Sequence, residues 1–160
     1  MRRYAYVKRI WAASGVNAYA TSDIDDTFNG TYKTKLSAAV RSLMATTKFR
    51  YTPGNGSNNV TTLKRAVFAL SFAELGLEES SSPTQGLNKE GTELPIANTL
   101  WTNIDQWSRS PNTATNYGVW GKSTGSYGAY NCGVSEQGFR PCFTLPSNAT
   151  VDGNLNLYES

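Results

Sequence analysis

The sequence predicts one α+β domain that spans residues 1–160. Apolar residues with helical spacing are concentrated between residues 22 and 44, whereas short strand-like runs separated by Gly, Ser and Asn dominate residues 107–145. A chain of 160 residues, 12% of them aromatic, is also long enough to bury one hydrophobic core. Helices early in the chain and hairpin-spaced strands late in it together indicate the α+β class.

Residues 1–21 are predicted to form the lead-in strands of this domain. Aromatic and small residues alternate from Tyr4 to Trp11, which is typical of one or two short strands, and residues 14–17 indicate the loop that follows. Several of the first nine residues are basic. We interpret them as a solvated end or a junction with a preceding module, and we expect no nucleic-acid partner.

Two helices are predicted next. Ser22 is a candidate N-cap for the first, and Asn29-Gly30 provides a stop for it. The aspartates that follow Ser22 suit the helix dipole, and they lack the spacing of a calcium-binding loop, so we predict no metal site there. The apolar residues of the second helix keep a three-to-four spacing; they are Tyr32, Leu36, Val40, Leu43 and Met44.

The middle of the chain is predicted to alternate strands with loops. Residues 48–52 indicate a short strand, residues 53–59 a loop of turn-forming residues, and residues 62–72 a buried strand leading into a turn of helix. Residues 78–94 indicate a surface excursion and residues 95–107 a short helix. The tail, residues 147–160, is expected to add an edge strand or to contact a neighbouring subunit.

Composition limits the chemistry that the chain can perform. It has two cysteines and no histidine, which excludes Ser-His-Asp and Cys-His catalysis within the chain and the usual Cys/His zinc sites. We expect no cofactor, no metal and no enzymatic activity. Since no apolar run approaches the ~20 residues that span a bilayer, no membrane insertion is expected. The low charge and abundant Thr, Ser and Asn are common on extracellular and virion proteins.

Four segments carry a family resemblance. They are Ser22-Asp23-Ile24 with Phe28-Asn29-Gly30 and Tyr32, then the run VFALSFAEL from Val67, then Trp107-Ser108-Arg109-Ser110-Pro111, and finally GFRPCFTL from Gly138. In this order and spacing they resemble DUF6273, a bacterial and phage family with a C-type-lectin-like fold related to the sulfatase-modifying (formylglycine-generating) fold. The resemblance implies two N-terminal helices packed on a small twisted antiparallel sheet with long loops. Two features depart from the family pattern: the first strands are abbreviated, and Ser108 replaces the usual apolar residue.

Each of two arginines stands one or two residues before a proline, where the chain is forced to be extended. An arginine in such a place can satisfy several backbone carbonyls with its fork of donors. We therefore interpret four residues as a structural framework that pins loops, in preference to an anion site. They are Trp107, Arg109, Arg140 and Pro141.

The two cysteines are predicted to face each other. A hairpin centred near Gln137 would place Cys132 and Cys142 at equal distances from its turn. They could form a disulfide in an oxidising environment, or be two small packed side chains otherwise. The cysteine pattern of the formylglycine-generating enzymes is not matched.

Residues 112–131 are the predicted ligand-binding segment. Tyr and Trp give rigid contact area, and Ser, Thr and Asn give adaptable hydrogen bonds; aromatic faces beside amides also suit sugar rings. For Trp120 a place in the core is an equal alternative. The candidates are Asn112, Thr113, Asn116, Tyr117, Trp120, Lys122, Tyr127, Tyr130 and Asn131.

These observations favour a non-catalytic binding or display module of a phage virion (a tail-fibre, receptor-binding or decoration protein) or of a bacterial surface protein. Its expected partners are a host cell-surface glycan or protein and other virion or surface subunits, and a homo-oligomer is left open. The calcium-dependent Glu-Pro-Asn and Gln-Pro-Asp sugar motifs of true C-type lectins are absent. The alternative is a structural or assembly domain of a virion with no ligand of its own. An enzyme would need a carboxylate or cysteine mechanism, and a pocket holding two acids close together would favour it.

Overall fold

The computed structural model of the chain describes residues 8–76, 90–95, 105–123, 126–151 and 157–159. Its helical elements come first: a 3-10 turn (Tyr19–Thr21), α1 (Asp23–Thr27), a π-helical turn (Phe28–Tyr32), α2 (Lys33–Lys35) and α3 (Ala38–Leu43). The strands follow as β1 (Thr47–Tyr51), β2 (Thr61–Arg65), β3 (Gln106–Pro111), β4 (Gly118–Ser123), β5 (Ser126–Asn131), β6 (Ala149–Val151) and β7 (Leu157–Glu159). The predicted α+β class is confirmed.

The strands form three small antiparallel sheets. Hairpins β1–β2 and β6–β7 are two-stranded, and β3–β4–β5 is a three-stranded meander with a register shift between Trp107 and Pro111. The strand predicted at 48–52 and the loop at 53–59 are confirmed by β1 and by the turn that separates it from β2. The tail forms its own hairpin, and β7 lies beside α3 instead of extending another sheet.

The helical region differs from the predicted pair of helices. Ser22 caps α1 as predicted, since its hydroxyl accepts a hydrogen bond from the Asp25 N–H at 3.1 Å. Asn29-Gly30 does not stop the helix, because Asn29 pairs with Val67: its amide accepts from the Val67 N–H and donates to the Val67 carbonyl. Helical backbone therefore continues through the π-helical turn to residue 35. Leu36 is extended and breaks the predicted second helix, and Ser37 then caps the short α3.

The lead-in strands are not formed in the part of residues 1–21 that the structure describes. Arg9 makes an isolated antiparallel bridge with Gln137, and the N–H groups of Trp11 and Ala12 both donate to the Cys132 carbonyl. These contacts hold the segment against the C-terminal third without a regular strand. The predicted lead-in at residues 1–7 lies outside the described residues.

The core surrounds an irregular segment, residues 66–72. The predicted strand at 62–72 ends at Arg65, although Val67 to Phe72 are all buried. It is irregular because its peptide groups bond to unrelated partners: Phe68 pairs with Cys142, and the Ala69 N–H donates to the Tyr19 hydroxyl. The large side chains buried around it include Trp11, Tyr19, Phe28, Trp107 and Val119.

Two further predictions fall largely outside the described residues. In the helix predicted at 95–107, residues 96–104 are outside the described residues. Its last two residues, Gln106 and Trp107, belong to β3 and not to a helix. Most residues of the surface excursion predicted at 78–94 are also outside the described residues. Glu90, which is described, is 1% exposed and contradicts a surface position at that residue.

Candidate functional site

Arg109 is the centre of the structural framework. Its side chain is fully buried, and its guanidinium donates to the carbonyls of Arg50 (2.9 Å), Ala69 (2.8 Å) and Glu90 (3.2 Å). It also forms a two-point ion pair with Glu74, at 2.5 and 2.9 Å, and lies 4.6 Å from the centre of the Phe49 ring. The arginine predicted to pin loops thus bonds to the backbone carbonyls of three residues, and its donors are already occupied by the protein.

Two acids lie next to Arg109, but both are bound into the framework. Glu90 accepts from the Thr52 N–H at 2.6 Å and from the Ser110 hydroxyl, and burial raises the pKa of its carboxyl. Glu74 accepts from the Ser71 N–H at 2.9 Å in addition to Arg109. Both carboxylates are therefore bonded to backbone and side-chain groups of the framework.

Among the other predicted framework residues, the Trp107 side chain makes a hydrogen bond and the Arg140 side chain makes none with a described residue. Trp107 is buried and its indole N–H donates to the Arg9 carbonyl at 2.9 Å. Ser108, the departure from the family pattern, donates to the Trp120 carbonyl at 2.7 Å and so ties β3 to β4. Arg140 and Pro141 are partly buried, and the Arg140 side chain makes no hydrogen bond or ion pair with any described residue.

The predicted hairpin between the cysteines is wrong. Cys132 pairs with the lead-in segment and with the Tyr117 carbonyl, whereas Cys142 pairs with Phe68, so the two residues serve different parts of the core. Both are free cysteines. Burial raises the pKa of both thiols, that of Cys142 to about 11, which makes them poor nucleophiles.

The predicted ligand-binding residues do not form one cluster. Trp120 and Tyr127 pack on the buried Phe72 ring at 5.1 and 5.4 Å, on one face of the meander. Tyr130 packs edge-on against Trp107 at 6.2 Å and is therefore partly a core residue. The Lys122 side chain lies outside the described residues. The remaining five lie at the opposite end of β4: Asn112, Thr113, Asn116, Tyr117 and Asn131.

The Asn17 side chain fixes the backbone of the loop that precedes β4. Its fully buried amide donates to the carbonyls of Asn112 (3.1 Å), Thr115 (3.1 Å) and Gly118 (2.6 Å), and its N–H donates to the Asn116 carbonyl at 2.8 Å. The loop before β4 is therefore fixed by a side chain 95 residues earlier. Sequence reasoning missed Asn17, and its only local signal was a position in a short Gly- and Asn-containing loop.

Two more segments, residues 53–59 and 131–135, contact the loop that contains Asn17. The Asn17 side-chain oxygen accepts from the Asn55 N–H at 2.7 Å, and a Cβ added to Gly54 would collide with the Asn17 carbonyl. A Cβ on Gly133 would lie 2.9 Å from the Gly15 Cα. Residues 13–17, 53–59, 112–117 and 131–135 thus form a single surface, which we call the loop surface. Its exposed side chains include Tyr117 (49%) and Val134 (73%).

The structure also contains a shallow cavity of about 190 Å³. It is lined by residues 8–10, by Asp23, Ile24 and Thr27 of α1, and by Glu136. Within the described residues, no cluster of three or more Cys, Asp or Glu residues could hold a metal ion. No helix in that part of the chain combines the length and hydrophobicity needed to cross a bilayer.

Fold and site together define a small α+β domain that presents a loop surface at one end. The family model of DUF6273, a domain of unknown function, matches residues 1–147, and the chain belongs to this family. The match confirms the resemblance to DUF6273 itself and ends at the start of the tail. No curated protein and no solved structure matches the chain significantly.

Proposed function

We propose that the protein is a non-catalytic binding or display module. It belongs to a phage virion, as a tail-fibre, receptor-binding or decoration protein, or to a bacterial surface protein, and so acts on a virion or outside the cell. Its partner is a host cell-surface glycan or protein, bound by the loop surface. We also propose that the helices and small sheets are arranged as in the C-type-lectin-like fold.

The observation that carries the proposal is the combination of exposed contact groups with a fixed backbone. Tyr117 is half exposed in a loop whose backbone is held at four points by Asn17. A loop held in one conformation loses little entropy on binding, and tyrosine contributes large contact area with few rotatable bonds. A core or purely structural role would not require this tyrosine to be exposed.

The Tyr117→Ala variant tests the proposal. We expect the isolated protein to bind bacterial cells, and we expect the variant to bind at least about tenfold more weakly, as for an aromatic residue at the centre of an interface. The measurement is a cell-binding titration, with thermal unfolding to verify that the fold is kept.

Tyr127→Ala is the matched control, because Tyr127 is 42% exposed but lies near the other end of β4–β5. Loss of binding in Tyr127→Ala alone would move the site to the face of Trp120 and Tyr127. Unchanged binding in both variants would contradict the proposed site. A stable oligomer that buries the loop surface would instead favour the assembly role.

A further inference from the structure

The loop surface carries no charge. None of its four segments contains Lys, Arg, Asp or Glu, although these residues make up 17% of the chain. In their place the segments present asparagines, which are exposed at Asn55, Asn58, Asn59, Asn116 and Asn131. A surface that recognises phosphate, sulfate or carboxylate groups would need cations to offset the desolvation of the ligand. The loop surface therefore fits an uncharged ligand.

The backbone at Asn55 is a second, independent observation. Asn55 has φ 53°, the left-handed region, and it stands between Gly54 (φ 81°) and Gly56 (φ 80°). It is the only non-glycine residue with positive φ in the described part of the chain. Asparagine is, after glycine, among the residues that adopt this conformation most readily, so the turn can carry an amide side chain at this position. The Asn55 N–H bonds to the side chain of Asn17, the same amide that holds the loop before β4, and the Asn55 side chain is exposed.

We propose that the loop surface binds a neutral oligosaccharide, with the Asn55 amide and the Tyr117 ring as direct contacts. The inference rests on the proposed binding function and names its ligand class. An amide both donates and accepts, so it matches the paired donor and acceptor of a sugar hydroxyl, and a tyrosine ring provides an apolar face for the C–H side of a sugar ring. A surface built from amides, hydroxyls and one exposed ring favours this ligand over a charged polymer.

The first experiment is a glycan array probed with the full chain. The array should contain neutral hexose and N-acetylhexosamine oligosaccharides beside sialylated, sulfated, uronate-containing and phosphate-bearing ones. We expect binding to the neutral group, with an affinity that changes little between roughly 0.05 and 0.5 M salt because no ion pairs are formed. A preference for the charged group, or a steep loss of affinity with salt, would overturn the inference.

The second experiment is the Asn55→Gly variant, titrated with the best neutral oligosaccharide. Glycine suits the left-handed backbone, so the melting temperature should stay the same or rise. Loss of the amide contact should weaken binding by roughly three- to tenfold, the worth of one hydrogen bond. Unchanged affinity in Asn55→Gly would remove this residue from the site and contradict the inference.

These outcomes separate the inference from the proposed function. If cells are bound through Tyr117 but no neutral oligosaccharide is, the ligand is a protein or a charged glycan; the binding function then stands and the inference is wrong. If the protein binds neither cells nor any glycan, both are wrong.

Discussion

Glu90 is a fully buried acid whose charge state differs between the folded and the unfolded protein. Arg109 and Glu74 neutralise each other, so a charged Glu90 would add an unbalanced negative charge to a buried site. Burial raises the pKa of its carboxyl, an effect that the nearby Arg109 charge and the hydrogen bonds from Ser110 and Thr52 only partly offset. The folded protein therefore holds a proton on Glu90 at pH values where the unfolded chain has lost it.

This difference predicts a pH dependence of stability. Above the ordinary carboxyl pKa of 4.5, the folded state binds more protons than the unfolded state, so the free energy of unfolding falls as pH rises. Asp25, whose pKa is also raised by burial against the effect of Arg65, contributes with the same sign. We expect Glu90→Gln to flatten the decline in melting temperature as the pH rises above the ordinary carboxyl pKa.

The matched control is Glu136→Gln, which alters an exposed glutamate. Thermal unfolding of the three proteins across this pH range is the measurement. An equal slope in wild type and Glu90→Gln would show that Glu90 is not the group responsible.

Single residues were predictable from the sequence where their chemistry is local. Ser22 caps α1 because its partner is three residues away, and the fork of donors on Arg109 bonds to backbone carbonyls, as its chemistry predicts. Asn17 and Glu90 were missed because their partners are distant: the Asn17 amide bonds to a carbonyl 101 residues later. No sequence pattern marks such an amide as a structural centre.

Among the elements, the hairpins and the helix ends show where local signals are decisive. The turn at 53–59 and the meander β3–β4–β5 follow the Gly, Asn and Ser pattern that predicted them. Asn29-Gly30 is also a stop signal, yet the helix continues because Asn29 bonds to the core segment at Val67. The predicted hairpin between Cys132 and Cys142 fails for a similar reason, since each half pairs with a distant segment.

The β1–β2 hairpin carries an unfavourable charge pair. Lys48 and Lys64 are direct cross-strand partners, both exposed, and Arg50 follows on the same face of β1. Like charges placed opposite each other destabilise a sheet. We expect Lys64→Glu to raise the free energy of unfolding by about 0.2–1 kcal/mol, measured by urea denaturation at low salt.

The Lys48→Glu/Lys64→Glu double variant restores like charges and should lose this gain. High salt should also reduce it, because the pair is exposed. A Lys64→Glu protein that is no more stable than wild type would mean that the two side chains avoid each other in solution.

Arg109 connects three separate parts of the chain, because its hydrogen-bond partners lie in β1, in the segment 69–74 and at Glu90. Removing one member of a buried ion pair leaves the other charge uncompensated. We expect Arg109→Met to lower the free energy of unfolding by about 3–5 kcal/mol in chemical denaturation.

Arg140→Met is the matched control from the second arginine–proline pair. Because the Arg140 side chain has no hydrogen bond or ion pair within the described residues, the change should cost less than about 1 kcal/mol. Similar losses in both variants would mean that the two arginines share the framework role equally.

The fold class could be predicted because helical spacing and hairpin spacing occupy different parts of the chain. The division into three small sheets could not, since it depends on the irregular segment at 66–72 bonding to several unrelated partners. The candidate site was predicted in part: the 112–117 loop was identified from its residues, while its neighbours at 13–17 and 53–59 joined it only through Asn17.

The long-range bonds of the lead-in segment have a consequence for how the chain folds during synthesis. Lys8 bonds to Asp105 and Trp11 to Ser108, each 97 residues later in the chain. Until those partners leave the ribosome, Trp11 has no place to be buried and the nascent chain exposes it to other proteins. We therefore expect the domain to close only after residues 105–108 have been synthesised, and protease protection of the lead-in segment to appear late in translation.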